Sequence, residues 1–143
     1  MPRLPLSNYV KNLLRLQVDA KILLSIALGA VLGAWARAYL SLWLNPSLAF
    51  INLGTLVANV VGCFIIGLMV CAVKDLQISA RVQQLIVTGF LGSLTTFSSY
   101  SSEVVQRFYQ GAWGQALGIA LIHLLLGFLS TGVAIALWRL FKG

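Results

Sequence analysis

A run of small and hydroxyl-bearing residues lies inside a membrane-length apolar segment of this chain. Residues 89–103 read Gly-Phe-Leu-Gly-Ser-Leu-Thr-Thr-Phe-Ser-Ser-Tyr-Ser-Ser-Glu. Hydrocarbon offers no water to a freed backbone N–H or C=O group, so a helix break is tolerated in a bilayer only where protein covers it or a wet cavity adjoins it. The run therefore predicts a helix break that serves a transport pathway or an ion site.

Asn59 is a second polar candidate in an otherwise apolar segment. Thr55 precedes it by one turn and Gly62 follows it by nearly one turn, so the three residues share one helical face. An asparagine amide offers two N–H donors, which suit an anion that has lost its water. The alternative is hydrogen bonding between helices, worth about 0.6 kcal/mol per bond on average. The residues alone leave both roles open.

Three of the ionisable residues within the predicted spans lie away from the ends of the bundle or stand alone in type, and each needs a reason to be there. His123 is the only histidine, and no second histidine, cysteine cluster or carboxylate is placed to complete a transition-metal site with it. Glu103 is the only acid in the body of a span. Arg37 has three interpretations: it pairs with a carboxylate, extends to the membrane interface, or attracts anions into a vestibule.

The sequence argues against an enzyme and against a proton-coupled exporter. Ser98 and the serines that follow it have no adjacent base, and no glycine loop of the phosphate-binding kind is present. The whole chain has three acids. Carriers driven by protons usually titrate a carboxylate within the membrane, and no span offers one in a suitable place.

Composition predicts the elements that must position these residues. The chain has 143 residues, of which 59% are hydrophobic and 9% charged, whereas about 25% are charged in an ordinary soluble domain. Four windows approach the roughly 20 residues that a bilayer requires: 22–44, 51–73, 82–109 and 114–140. We predict an all-α integral membrane protein, with a basic amphipathic lead at 1–21 and a four-helix transmembrane domain at 22–143 whose third helix is broken.

Basic residues are distributed unequally between the two ends of the predicted bundle. Arg37 and Arg107 lie toward one end, and eight lie toward the end that carries both termini: Arg3, Lys11, Arg15, Lys21, Lys74, Arg81, Arg139 and Lys142. The positive-inside rule then favours cytoplasmic termini. The net charge of +7 is better explained by topology and contact with anionic lipid than by nucleic-acid binding.

Pairs of glycines spaced four residues apart predict close contacts between helices. Gly29 and Gly33 form one pair, and Gly114 and Gly118 form another. Four closely packed helices enclose little volume, so a pathway is expected to need a second copy of the chain.

Three motifs, in order along the chain, resemble the signature of the Fluc, or CrcB, fluoride channels. They are Gly33-Ala34-x-x-Arg37-x-Tyr39, then Gly54-Thr55 followed by Asn59 and Gly62, then Gly89-Phe90-x-Gly92-x-x-Thr95-Thr96-Phe97-Ser98. The resemblance extends over all four predicted spans. It implies an antiparallel homodimer in a bacterial plasma (inner) membrane, with two narrow pathways that export fluoride passively and so relieve its toxicity.

The resemblance also implies roles for particular residues. Backbone carbonyls of Gly92 and Thr95 would hold a structural sodium ion on the dimer axis. Asn59 would donate to the anion, and Phe97 would present a ring edge, which is the positive part of the ring quadrupole. The remaining candidates are hydroxyls along the pathway and charges at a vestibule: Thr55, Ser98, Arg37 and Glu103.

The chain departs from the family pattern at three points. Tyr100 stands where the family has a second phenylalanine, and His123 where the fourth helix usually has a serine. We assign both to the pathway, and because histidine ordinarily changes charge between about pH 5 and 8, flux is expected to vary over that range. The charge bias is the third departure. It favours one orientation, so a heterodimer with an oppositely oriented partner competes with the homodimer.

Two alternatives remain at this level. A small dual-topology multidrug exporter also has four helices and forms dimers, but the first helix here lacks its carboxylate. A membrane assembly subunit without transport would use the polar face for hydrogen bonds between helices.

Overall fold

The computed structural model describes residues 20–45 and 50–142. Within them the chain is helical and without strands, which confirms the all-α class. The helices are α1 (Ala20–Leu44), α2 (Leu53–Asp75), α3 (Ala80–Gln83), a π-helical segment (Gln84–Leu91), α4 (Gly92–Leu94), α5 (Phe97–Tyr109) and α6 (Trp113–Lys142). Nearly all of the predicted lead at 1–21 lies outside the described residues, so the division of the chain at residue 21 stays a prediction.

Three of these helices are long and apolar enough to cross a membrane, namely α1, α2 and α6. They match the first, second and fourth predicted spans to within about two residues. Residues 80–109 correspond to the third predicted span and run through four shorter helical pieces. Between α4 and α5 the backbone is extended at Thr95 (φ −80°, ψ 152°) and at Thr96 (φ −147°, ψ 113°).

Helix α1 lies directly against the π-helical segment because glycines remove the side chains between them. A Cβ on Gly29 would collide with the carbonyl oxygen of Leu85, and one on Gly33 with that of Phe90. Gly89 faces back toward the Ile26 carbonyl oxygen, which would lie 2.5 Å from an added Cβ. The predicted close packing at Gly29 and Gly33 is therefore confirmed.

The second predicted glycine pair behaves differently. An added Cβ on Gly114 or Gly118 would meet nothing within 4 Å. Among the described residues of one chain, the prediction that this pair packs closely is wrong, because no described helix covers the faces of α6 that bear these glycines.

Helices α2 and α6 are joined by hydroxyl groups that donate to backbone carbonyls. Ser130 Oγ donates to the Val60 carbonyl at 2.8 Å, and Thr131 Oγ1 donates to the Cys63 carbonyl at 2.9 Å. Gly67 allows the approach, since an added Cβ would lie 2.7 Å from the Thr131 carbonyl oxygen. These bonds fix α6 along the same stretch of α2 that carries Asn59.

The start of α2 is held by side chains from two other elements. Glu103 Oε1 accepts from the Asn52 N–H at 2.7 Å, and Asn45 Oδ1 accepts from the Gly54 N–H at 2.8 Å. Both donors belong to the group of N-terminal amides that a helix leaves without internal partners. The two bonds tie the end of α1 and the middle of α5 to the beginning of α2.

Large apolar side chains remain exposed along α1 and α6, including Trp35, Leu42, Phe128 and Phe141. In a soluble monomer an exposed apolar surface of this extent would favour aggregation or a partner. In a bilayer, lipid covers such a surface.

Candidate functional site

The side chain of Asn59 binds the backbone at the extended residues of the third span. Its Oδ1 accepts from the Thr96 N–H at 2.8 Å, and its Nδ2 donates to the Thr96 carbonyl at 3.3 Å. One amide therefore satisfies both polar groups of one residue outside helical structure. One N–H of Nδ2 remains, because the amide has two donors and Thr96 takes one of them.

Two hydrogen bonds at the extended residues, one to Asn59 and one to the Thr96 hydroxyl, deprive two carbonyl groups of their helical donors. In a continuous α-helix the Thr96 N–H would bind the Gly92 carbonyl, and the Ser99 N–H would bind the Thr95 carbonyl. Here the Thr96 N–H donates to Asn59, and the Ser99 N–H donates to Thr96 Oγ1 at 3.2 Å. Within the part of the chain that the structure describes, the carbonyl oxygens of Gly92 and Thr95 have thus lost the donors that a continuous helix would give them. Neutral oxygen donors of this kind suit a hard cation.

Thr96 is the central residue of this arrangement, although sequence reasoning did not select it as a site residue. Its hydroxyl caps α5 and also lies 3.1 Å from both Ser98 Oγ and Ser99 Oγ. The available signal was its position directly before a helix, where threonine is a preferred cap. The sequence could not show that Asn59, 37 residues earlier, binds the same residue.

A cavity of about 490 Å³ adjoins the extended residues Thr95 and Thr96. Six of the predicted site residues line it: Asn59, Gly92, Thr95, Phe97, Tyr100 and His123. Four others do not: Thr55, Ser98, Arg37 and Glu103. Six of the ten predicted site residues, which come from separate parts of the sequence, therefore line one cavity.

Three rings follow one another along the cavity wall. The ring centroids of Phe97 and Tyr100 lie 5.5 Å apart with a 59° angle between planes, and those of Tyr100 and His123 lie 4.7 Å apart at 43°. Tilted rings of this kind turn edges as well as faces to their neighbours. The two residues that depart from the family pattern are in direct contact with each other.

The four predicted residues outside the lining occupy distinct places. Thr55 is buried at 4% exposure, and Ser98 is exposed next to Thr96. Glu103 is buried at the start of α2. Arg37 is half-buried and forms no ion pair with Glu103, so the pairing considered from sequence is not formed between these two described residues.

Three further residues of α2 line the cavity and were not predicted to do so, namely Gly62, Cys63 and Ile66. A Cβ on Gly62 would collide with Cγ2 of Thr95, so this glycine makes room for the threonine at the break. The signal in the sequence was the shared helical face of Asn59 and Gly62.

Comparison with known proteins agrees with the motifs. The family model described as "CrcB-like protein, Camphor Resistance (CrcB)" matches residues 24–135. A protein of Acinetobacter baumannii (strain ATCC 17978) named fluoride-specific ion channel FluC is 46% identical over 118 residues, which are 81% of this chain and 94% of that protein. Its namesake in Mannheimia succiniciproducens is 45% identical over 118 residues, with 82% and 93% of the two chains covered.

A third relative, from Histophilus somni (strain 2336) and of the same name, is 41% identical over 118 residues. The matched region contains the cavity, the extended residues and all three motifs. The family expected from the sequence is thereby confirmed, and with it a multi-pass membrane protein: this chain belongs to the CrcB-like family.

Proposed function

We propose that the chain is a fluoride-selective ion channel of a bacterial plasma membrane, exporting fluoride passively so that its toxicity is relieved. The observation that carries the proposal is the meeting of Asn59, Phe97 and Tyr100 on one cavity beside the extended residues. The names of relatives that share about 45% identity support the choice of anion. The function is transport and not catalysis.

The cavity supplies neutral partners for a small anion. Asn59 has one N–H left after binding Thr96, and the rings of Phe97 and Tyr100 have edges that carry partial positive charge. A strongly hydrated anion needs close donors to replace its water, yet it must leave again, so weak and successive partners favour conduction over trapping. Ser98 and Thr55 would extend this set of donors only if conduction reached beyond the cavity.

We infer that the carbonyl oxygens of Gly92 and Thr95 hold a sodium ion. The argument for fit is that Asn59 and Thr96 take the two amides that these carbonyls would bind in a helix. The ion would supply positive charge near the break and order the backbone there. This chain's own residues do the rest: they keep the backbone extended and leave the oxygens free.

We further propose an antiparallel homodimer with two pathways. Phe97 lines the cavity yet is 79% exposed, so one chain forms only part of a wall at this point. A second copy lying against the exposed ring would complete it. Gly92 is also exposed, which suits a carbonyl shared across a two-fold axis.

Anion efflux from liposomes tests the proposal. Purified protein is reconstituted into vesicles loaded with potassium fluoride, and a fluoride electrode follows release after valinomycin is added. We expect rapid fluoride release that needs valinomycin, because uncoupled anion movement requires a compensating cation. Vesicles loaded with potassium chloride should release little chloride, and protein-free vesicles measure the background leak.

Other results of the same assay would refute the channel or favour an alternative. Equal release of chloride, or no fluoride release from protein that elutes as a single folded species, would refute the channel. Release of a cationic drug driven by a proton gradient would instead favour the exporter. These assays include sodium on both sides of the membrane. Replacing that sodium by an organic cation, with potassium and valinomycin unchanged, should abolish fluoride release if the sodium site is correct.

A further inference from the structure

His123 is held in one orientation by its own helix. The ring is 8% exposed, and its Nδ1 lies 3.1 Å from the carbonyl oxygen of Ile119, one turn earlier on α6. A carbonyl oxygen only accepts, so Nδ1 must carry the hydrogen in this bond. In the neutral ring the other nitrogen, Nε2, is then a bare acceptor.

Nε2 is a buried acceptor without a partner among the described residues. The residue nonetheless lines the cavity, and the ring of Tyr100 lies against the imidazole. An acceptor in this place cannot bind fluoride, which is itself an acceptor and has no hydrogen to give. The neutral form of His123 therefore offers the anion nothing at this end of the cavity.

Protonation changes Nε2 from a hydrogen-bond acceptor into a donor. A protonated imidazole donates from both nitrogens, so Nδ1 keeps its bond to Ile119 while Nε2 gains a hydrogen and the ring a positive charge. The attraction between that charge and fluoride acts across the cavity. Nε2 is buried in the arrangement described, so direct contact with fluoride requires neighbouring side chains to move.

Few other ionisable groups face the imidazole. Helix α2 contributes Cys63, and α5 contributes Tyr100. Glu103 lies on α5 three residues beyond Tyr100, but its Oε1 binds the Asn52 N–H and the residue is not part of the cavity lining. The lining residues from the π-helical segment and α4 bear no ionisable side chain, and α1 supplies none. On α6 the nearest charge is Arg139, about four turns away.

We propose that His123 and Tyr100 form a fluoride subsite that fills together with one proton. The proton comes from solution and binds Nε2, and the fluoride enters beside the charged ring, so the pair adds no net charge to the cavity. This rests on the proposed fluoride pathway, and deepens it by making fluoride occupancy depend on pH. By linkage, fluoride binding and protonation of His123 strengthen each other, so the affinity of the subsite rises as pH falls, by at most about tenfold per pH unit.

Nuclear magnetic resonance of the imidazole tests the linkage directly. The chain has one histidine, so protein labelled with ¹⁵N-histidine, purified through a tag without histidine and placed in lipid nanodiscs, gives one imidazole signal set. At alkaline pH we expect the hydrogen on Nδ1. At a fixed pH near 6.5, replacing sodium chloride with sodium fluoride should increase the protonated fraction of the ring.

Two results would overturn the subsite. One is a neutral ring with its hydrogen on Nε2. The other is an equal protonated fraction in fluoride and in chloride over the whole range from pH 5 to 8. Both measurements are independent of transport and need no substitution.

Efflux from liposomes separates the subsite from the channel. We expect wild-type flux to differ at least about threefold between pH 5.5 and 7.5, after the leak of hydrogen fluoride from protein-free vesicles is subtracted at each pH. His123→Ser should conduct with a ratio near one, since a hydroxyl donates at either pH; His123→Gln serves the same purpose if the serine variant does not fold.

Cys71→Ser is the matched control, because it removes a thiol of α2 that does not line the cavity and should keep the wild-type ratio. Wild-type flux that is flat with pH would refute the subsite and leave the channel standing. Absence of flux at every pH, with linked protonation still seen by magnetic resonance, would refute the channel and leave the subsite.

Discussion

Asn59 combines two roles that looked like alternatives in the sequence. Its amide is occupied by both backbone groups of Thr96, as expected of a residue that bonds elements together. The same residue lines the cavity and keeps one N–H donor. A substitution that removes the whole amide would therefore disturb the backbone at Thr96 together with any anion partner, and could not separate the two.

Asn59→Asp removes the N–H donors of the side chain but can keep the bond from the Thr96 N–H. Aspartate keeps an oxygen that accepts from the Thr96 N–H, but it removes the N–H groups and adds an acceptor with negative charge. We expect fluoride efflux at pH 7.5 to fall by about tenfold or more, equivalent to about 1.4 kcal/mol in the barrier. The measurement is the initial efflux rate at matched protein density.

The matched variant is Asn59→Leu, which loses the bonds to Thr96 as well and should lower thermal stability in detergent in addition to flux. Wild-type flux in Asn59→Asp, from protein that melts like the wild type, would show that the remaining N–H has no part in conduction.

At the scale of elements, the third span contacts α1 and Asn59 of α2 through its backbone groups. Its first half packs backbone to backbone against α1 through Gly29, Gly33 and Gly89. Its second half begins at a new cap, Thr96. The position of Asn59 on α2 decides where the two halves part, so the correct placement of α2 matters for the site although α2 lies in another span.

Glu103 is the residue that links α5 to the start of α2, and it predicts a stability effect. Glu103→Ala would leave the Asn52 N–H without its 2.7 Å partner, and an unsatisfied buried donor costs about 1–3 kcal/mol. We expect a clear loss of thermal stability for Glu103→Ala.

Glu103→Gln is the comparison, because glutamine retains a carbonyl oxygen in the same place and should lose less than half as much. The two variants are compared by fluorescence-detected melting in detergent. Equal losses would mean that the charge of Glu103, and not its bond to Asn52, determines its contribution.

At the scale of the whole molecule, the charge bias and the proposed antiparallel homodimer predict different orientations of the chain in the membrane. Basic residues lie toward one side of the molecule, at the start of α1, the end of α2, the start of α3 and the end of α6. The ends of α2 and α6 are in contact there, because Trp138 Nε1 donates to Asp75 Oδ2 at 2.7 Å. This bias favours one orientation. An antiparallel homodimer needs both orientations in equal numbers.

Labelling of intact cells with a membrane-impermeant thiol reagent distinguishes insertion in one orientation from insertion in both orientations. In a background with Cys63 and Cys71 replaced by serine, Gly143→Cys marks the end with the C-terminus, and Gln110→Cys marks the turn between α5 and α6. We expect roughly half of each variant to be labelled from outside, as dual insertion of a homodimer requires.

Labelling of Gln110→Cys alone would show a single orientation with the termini inside. It would favour a heterodimer with a partner of opposite charge bias. Permeabilised cells, in which both variants should be labelled fully, provide the control for accessibility.

The sequence by itself determined the membrane class, the three uninterrupted spans and the family. Hydrophobic stretches of about 20 residues have few alternatives in a bilayer, and motif residues keep their spacing whatever the tertiary fold. It also selected six residues that meet at one cavity, because polar and aromatic residues in otherwise apolar helices are few. It could not show that Glu103 binds the start of α2, or that Gly114 and Gly118 face none of the other described helices.

Only the tertiary structure decided which amides and carbonyls are paired. Hydrogen bonds such as that of Asn59 to Thr96 join residues 37 positions apart, and helical periodicity carries no information about the register between two helices. The same holds for the contact of Tyr100 with His123. Each departs from the family pattern separately in the sequence, and their packing makes them neighbours in one site.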